Sequence, residues 1–117
     1  MANPVFLTEE AIDERLQIPI SSKNASFTTE SYKRFIVTVS GDMTVTLHTP
    51  TSGNAEIFEC RFDGSGLTED KSISFSTSGA TATTMDVNCG TVTAGKVALM
   101  SAFWNGATWD VNWKVEG

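Results

Sequence analysis

The chain predicts an all-β fold: an antiparallel β-sandwich or jelly-roll-like domain, preceded by an irregular N-terminal arm that contains a short helix. Three observations carry that expectation. Apolar and polar residues alternate on both sides of Asn105-Gly106 near the carboxyl end, and an Asn-Gly pair between alternating runs is the strongest short-range hairpin signal. Ser and Thr make up about a quarter of the 117 residues and concentrate in the middle of the chain. That composition suits exposed strand faces and turns better than helices. From Lys33 onward, short alternating runs recur between Gly, Pro, Asn and Asp breaks, the spacing expected of many short strands.

Residues 1–31 read as the arm and 32–117 as the β-domain. Within the arm, Thr8 to Leu16 forms one short helix, with Thr8 as its cap, Glu9 and Glu10 at its positive end, and Leu7 stapled onto Ile12. Its apolar residues are few, so it must lean on something else. Pro19 ends it, and residues 18–31 read as an extended arm or loop.

The first predicted strand, Arg34 to Ser40, turns Phe35, Val37 and Val39 inward. A Ser40-Gly41-Asp42 turn leads to Met43–His48, with Val45 and Leu47 inward. Ala55 to Asp63 places Phe58, Cys60 and Phe62 opposite Glu59, Arg61 and Asp63. Lys71 to Thr77 buries Ile73 and Phe75, and a short strand carries Met85, Val87 and Cys89. A turn over Gly90–Gly95 precedes the closing hairpin. With a two-residue loop, Trp109 faces Ala102, Val111 faces Met100 and Trp113 faces Ala98, so large indoles meet small residues. Trp104 then pairs with Ala107 at the tip and is the aromatic expected to be exposed.

One domain fits this length. A net charge of −6 with scattered basic residues argues against a nucleic-acid surface, which needs clustered Lys and Arg. No apolar run is long enough to span a membrane, and Asn3, Pro4, Thr8 and Glu9 break up any signal peptide. The expectation is a soluble protein used without secretion. Cys60 and Cys89 fall on apolar phases and read as buried thiols.

The lone His48 has no local motif beside it and reads as an exposed strand-end residue, so no catalytic residue is assigned and no enzyme is expected. One His and two separated Cys do not make a metal site, and no cofactor is expected. The acidic loop from Asp63 to Asp70 lacks the ordered ligand alternation of a calcium loop and reads as solvated.

The first hairpin arm is apolar on both faces. Ala98, Met100, Ala102 and Trp104 lie on one, and Val97, Leu99 and Phe103 on the other. Two-sided burial calls for a cover: the arm, another sheet or another subunit. The candidate partner-binding residues are therefore Phe6, Leu7, Ile12 and Leu16 in the arm, with Val97, Leu99, Phe103 and Trp104 in the hairpin.

The stretch from Gly95 to Val111, an apolar arm, an Asn-Gly turn and a Thr108-Trp109-Asp110 arm, resembles the closing hairpin of small tailed-phage virion proteins. With an irregular arm ahead of a Ser/Thr-rich β-domain, the layout resembles head decoration (cement) proteins, and also short tail or collar fibre domains. The resemblance implies a non-enzymatic virion protein, a homotrimer that binds the major capsid protein and is assembled in the host cytoplasm. The other readings are a tail, collar or baseplate component, or a carbohydrate- or receptor-binding module that uses Trp104.

Overall fold

Successive strands of this chain, up to the ninth, fall alternately into two sheets, and over the first six strands that alternation sets the direction of pairing. In a computed structural model of the chain, residues 18–50, 55–77, 82–85 and 89–116 are described, and all regular structure among them is β. The strands are β1 (Ile20–Lys23), β2 (Phe27–Thr28), β3 (Arg34–Thr38), β4 (Met43–Leu47), β5 (Glu56–Asp63), β6 (Lys71–Thr77), β7 (Ala82–Met85), β8 (Thr91–Val92), β9 (Val97–Trp104) and β10 (Thr108–Glu116). One sheet has the order β1-β3-β5-β9-β10-β7 and the other β2-β4-β6-β8.

From β1 to β6 the chain coils, odd strands in the six-stranded sheet and even strands in the four-stranded one. Neighbours within a sheet are thus one turn of the coil apart and run the same way. The pairs β1-β3, β3-β5, β2-β4 and β4-β6 are parallel, as is β7-β10. Only β5-β9, β9-β10 and β6-β8 are antiparallel. The expected all-β class holds, but the expected antiparallel pairing is corrected: both sheets are mixed. Alternation in the sequence records which face a side chain takes, not the direction of the neighbouring strand. The Ser40-Gly41-Asp42 turn is a corner between the two sheets.

Residues 18–31, expected as an irregular arm, supply β1 and β2. These strands lack apolar alternation because they close the open end of the coil. Ser21 and Lys23 are level with Phe35 and Val37. Lys23 Nζ lies 5.8 Å from the centre of the Phe27 ring, and that ring lies 5.0 Å from Phe35. A cation over an aromatic face caps the core with charge rather than leaving it open. The helix expected over Thr8–Leu16, with Phe6, Leu7, Ile12 and Leu16, lies outside the described residues. So does Val87 of the strand expected at Met85–Cys89, where the described strand is β7. Thr91–Val92, expected within a turn, is β8.

The inner faces share one buried cluster. Phe35, Val37, Phe58, Cys60, Phe62, Met100 and Trp109 come from the six-stranded sheet, and Met43, Val45, Leu47, Ile73 and Val92 from the other. Each full burial of a large apolar side chain contributes about 1.5–3 kcal/mol. Phe58 stands edge-on to both Phe35 and Trp109, with ring centres 6.2 and 5.2 Å apart. Burial pushes the Cys60 thiol far above its ordinary range, and no disulfide joins it to Cys89.

In the closing hairpin Trp109 pairs with Trp104, Val111 with Ala102, Trp113 with Met100 and Val115 with Ala98. That is two residues away from the expected register. A slip of two keeps every side chain on its face, whereas a slip of one would invert them all. The loop explains the shift. Gly106 has φ 101°, but Asn105 is not in the positive-φ region, so the type I′ turn, which needs both, does not form. Instead Asn105 Oδ1 accepts the Ala107 and Thr108 amides at 2.9 and 3.0 Å, an Asx turn that lengthens the loop. Trp104, expected to be exposed at the tip, packs half-buried against Trp109, with ring centres 5.6 Å apart.

Candidate functional site

At the carboxyl end of β4 and the amino end of β5, four polar side chains gather beside Trp109. Glu56 is the first residue of β5 and shares the phase of Phe58, Cys60 and Phe62, so the strand's own period carries its carboxylate inward, where it is 4% exposed. A buried carboxylate must find donors. His48 Nε2 lies 2.8 Å from Glu56 Oε1, and the Ser31 hydroxyl donates to the same oxygen. Ser31 Oγ is also 3.0 Å from Nε2. On the other side of the ring, Nδ1 lies 2.7 Å from Thr29 Oγ1, which accepts the His48 amide at 3.0 Å. Both ring nitrogens are thus engaged, Nε2 by Glu56 and Ser31 and Nδ1 by Thr29.

The expectation of an exposed His48 is thus corrected: its side chain is 16% exposed and held from both ring nitrogens. The imidazole also stands edge-on to Trp109, with ring centres 5.1 Å apart, and Trp109 Nε1 donates to the His48 carbonyl at 3.3 Å. Glu56 on the apolar phase of its strand is the sequence signal for this cluster.

Chemically the cluster is a clamp. A nucleophile relay needs an accessible hydroxyl on one ring nitrogen and an orienting carboxylate on the other. Here the hydroxyl opposite Glu56 belongs to Thr29, which is 1% exposed. Ser31, the more exposed hydroxyl, shares Nε2 with the carboxylate. What the cluster joins is the two sheets: Thr29 and His48 follow strands of one, and Glu56 and Trp109 belong to the other.

The opposite end of the sheets is closed by backbone. Gly64 donates to Lys96 O at 2.9 Å, while its own carbonyl accepts the amides of Leu67 and Gly95 at 3.0 and 2.9 Å. A Cβ on Gly64 would lie 2.6 Å from Val92 Cγ1 and 2.8 Å from Lys96 O. The acidic loop serves the same end. Asp63 Oδ1 accepts the Ser65 amide and Asp70 Oδ1 the Ala94 amide, both at 2.9 Å, while Glu69 pairs with Lys71 at 2.9 Å. Hydrogen bonds from Ser65 hold the Asp63 carboxyl below the usual carboxylate range. Among the described residues no group of three His, Cys, Asp or Glu side chains is placed to hold a metal ion.

The two outer faces differ sharply. That of the four-stranded sheet carries hydroxyls in register: Thr28 is level with Thr46 and Ser76, and Thr44 with Ser74. Thr46 Oγ1 and Ser76 Oγ are 3.0 Å apart. The outer face of the six-stranded sheet carries charge and apolar surface. Of the hairpin candidates, Val97 and Leu99 are half-buried there and Phe103 is exposed, beside its cross-strand partner Ile57. Tyr32, at φ 55°, extends the patch, its amide donating to Ile57 O at 2.7 Å and its hydroxyl to Ala55 O at 2.8 Å. Sequence reasoning missed Tyr32 and Ile57, because neither lies in the hairpin. A shallow cleft of about 280 Å³ adjoins the patch, lined in part by Arg34, Glu59, Leu99, Ser101, Asn112 and Lys114. Trp104 is not on this face, and Phe6, Leu7, Ile12 and Leu16 lie outside the described residues.

No protein-family model, curated protein or solved structure matches the chain.

Proposed function

We propose that the protein is a non-enzymatic structural component of a bacteriophage virion, specifically a head decoration (cement) protein. On this reading the two sheets form a β-sandwich, the protein assembles as a homotrimer, and it binds the outside of a lattice of major capsid protein. The observation that carries the reading is the exposed patch of Tyr32, Ile57 and Phe103 beside a charged cleft on one outer face. Contiguous exposed apolar surface rimmed by polar groups marks contact sites. The resemblance of the closing hairpin to those of phage virion proteins supplies the identity of the partner. Cementing then works by linkage: a protein that binds the assembled lattice and not its separated subunits stabilises the assembly by its binding free energy.

The test is co-sedimentation with capsids, together with the temperature at which those capsids fall apart. The wild type is expected to co-sediment and raise that temperature, and Ile57→Ser with Phe103→Ser to do neither while keeping the fold. A protein that binds tails or baseplates but no capsid would move the assignment to a tail, collar or baseplate component. A glycan-binding module rests on Tyr32 and Phe103 rather than Trp104, because those are the aromatics in the exposed patch. It requires saturable quenching of Tyr32 fluorescence by sugars, with no binding to capsids.

A further inference from the structure

The loop at the tip of the closing hairpin grips an asparagine side chain at both its oxygen and its nitrogen, directly ahead of a glycine. Asn105 Oδ1 accepts the Ala107 amide at 2.9 Å and the Thr108 amide at 3.0 Å. Its Nδ2 donates to Thr108 Oγ1 at 3.1 Å and to Asp110 Oδ2 at 3.2 Å. The Gly106 amide makes no hydrogen bond among the described residues. Asn105 and Gly106 are both exposed, and a Cβ placed on Gly106 would meet nothing within 4 Å. Asn105 is also the only asparagine of the chain that precedes a glycine. We infer that Asn105 is a site of covalent self-modification: the folded loop drives its conversion, through a cyclic imide, to an aspartyl or isoaspartyl residue.

Each contact stands where the reaction needs it. Holding Oδ1 against the Ala107 and Thr108 amides folds the side chain forward along the Gly106 peptide, so Cγ and the Gly106 nitrogen are held as neighbours. Solvent hydroxide takes the Gly106 N–H proton, and the electron pair on that nitrogen forms the bond to Cγ. Negative charge then develops on Oδ1, between two main-chain donors already in place, as in an oxyanion hole. When the intermediate collapses, the Cγ–Nδ2 bond breaks. The departing nitrogen takes a proton from water through the Thr108 hydroxyl and leaves as ammonia beside the Asp110 carboxylate. One water then opens the ring. Cleavage between Cγ and the Gly106 nitrogen gives the aspartyl product, and cleavage at the main-chain carbonyl gives the isoaspartyl one. In balance, one water is consumed and one ammonia released, with no oxidation or reduction. The product sets a second carboxylate beside Asp110, where the amide had donated, and the like charges repel. An isoaspartyl link also adds a carbon to the main chain of the loop that sets the hairpin register. Asp110 is level with Phe103, so under the proposed reading the change falls at the rim of the contact patch. The inference itself rests on the loop alone and holds whatever the protein binds.

The test follows the full chain at neutral pH, folded and in concentrated urea, by peptide mass mapping that resolves each asparagine and detects isoaspartate. The folded wild type is expected to accumulate product at position 105, and faster than the same chain in urea. Thr108→Val and Asp110→Ala are each expected to slow the folded reaction about fivefold or more, because each removes a group that handles the leaving nitrogen. In urea both variants are expected to match the wild type. Absence of product at position 105 overturns the inference. So does a folded rate no higher than the unfolded one, or a folded variant that keeps the wild-type rate. The near-ultraviolet signal of the tryptophans checks that each variant folds; should one fail to fold, the other variant and the wild-type comparison carry the same outcomes.

Discussion

The two ends of the sheets are closed by opposite means. At one end, side chains do it: Thr29, Ser31, His48 and Glu56 tie successive turns of the coil together beside Trp109. At the other, the main chain does it, with Gly64 bonded to Lys96, Leu67 and Gly95 in a space that admits no Cβ. The first end is specified by which residues are present, the second by which atoms are absent. A clamp made of side chains can be dismantled one group at a time. A clamp made of backbone fails when anything is added.

The largest effect is expected at Trp109, fully buried and in contact with both His48 and Phe58. Trp109→Ala is expected to cost about 3–5 kcal/mol, measured by denaturant unfolding. Trp109→Phe keeps a ring but loses the bond to the His48 carbonyl and is expected to cost about 1 kcal/mol. Equal costs for the two would mean that packing contributes little at this end.

Next in size is Gly64→Ala, at about 2–3 kcal/mol, because the added methyl meets a carbonyl oxygen rather than a side chain that can turn aside. An unchanged melting temperature would break the contrast between the ends. Glu56→Ala should follow, at about 1–3 kcal/mol, by leaving the half-buried His48 and Ser31 without their shared carboxylate. Here the readout is thermal unfolding together with the near-ultraviolet signal of Trp109.

The smallest effect is a pH dependence at the glycine end. Hydrogen bonds from Ser65 lower the Asp63 carboxyl in the folded state. Its contribution is therefore present above the unfolded value, about 3.9, and is lost as pH falls through the lower folded value. Asp63→Asn should narrow its stability gap to the wild type between pH 7 and pH 2.5. A constant gap would show that Asp63 does not couple to folding.

What the sequence disclosed depended on the kind of information each element carries. Phe58, Cys60 and Phe62, like Trp109 and Val111, follow a period of two, and each is on its expected face. The hairpin register slipped without harm to that assignment, because the slip was even. Strand direction was not legible, since parallel and antiparallel neighbours write the same alternation. Nor were β1, whose Ser21 and Lys23 cap a coil rather than build a core, and β2, which is only two residues long. The clamp was half-legible: Glu56 sits in phase with Phe58 and so had to be buried, but His48 breaks the alternation of Val45 and Leu47 and turns inward at the strand's end. Of the docking patch, Phe103 was legible from a hairpin arm apolar on both faces. Tyr32 and Ile57 were not, because they join it only across strands.

The position of β9 bears on how the protein is made. It lies in the middle of the six-stranded sheet, with β5 on one side and β10 on the other, yet among the described strands only β10 follows it in sequence. The sheet stays split until residues 97–116 have left the ribosome. Until then Phe58 and Phe62 of β5 lack the neighbour that holds Ala98 and Ala102 against them. Joining the sheet is therefore a non-local event, and between the synthesis of β5 and that of β9 the nascent chain carries an open strand edge that other chains can reach.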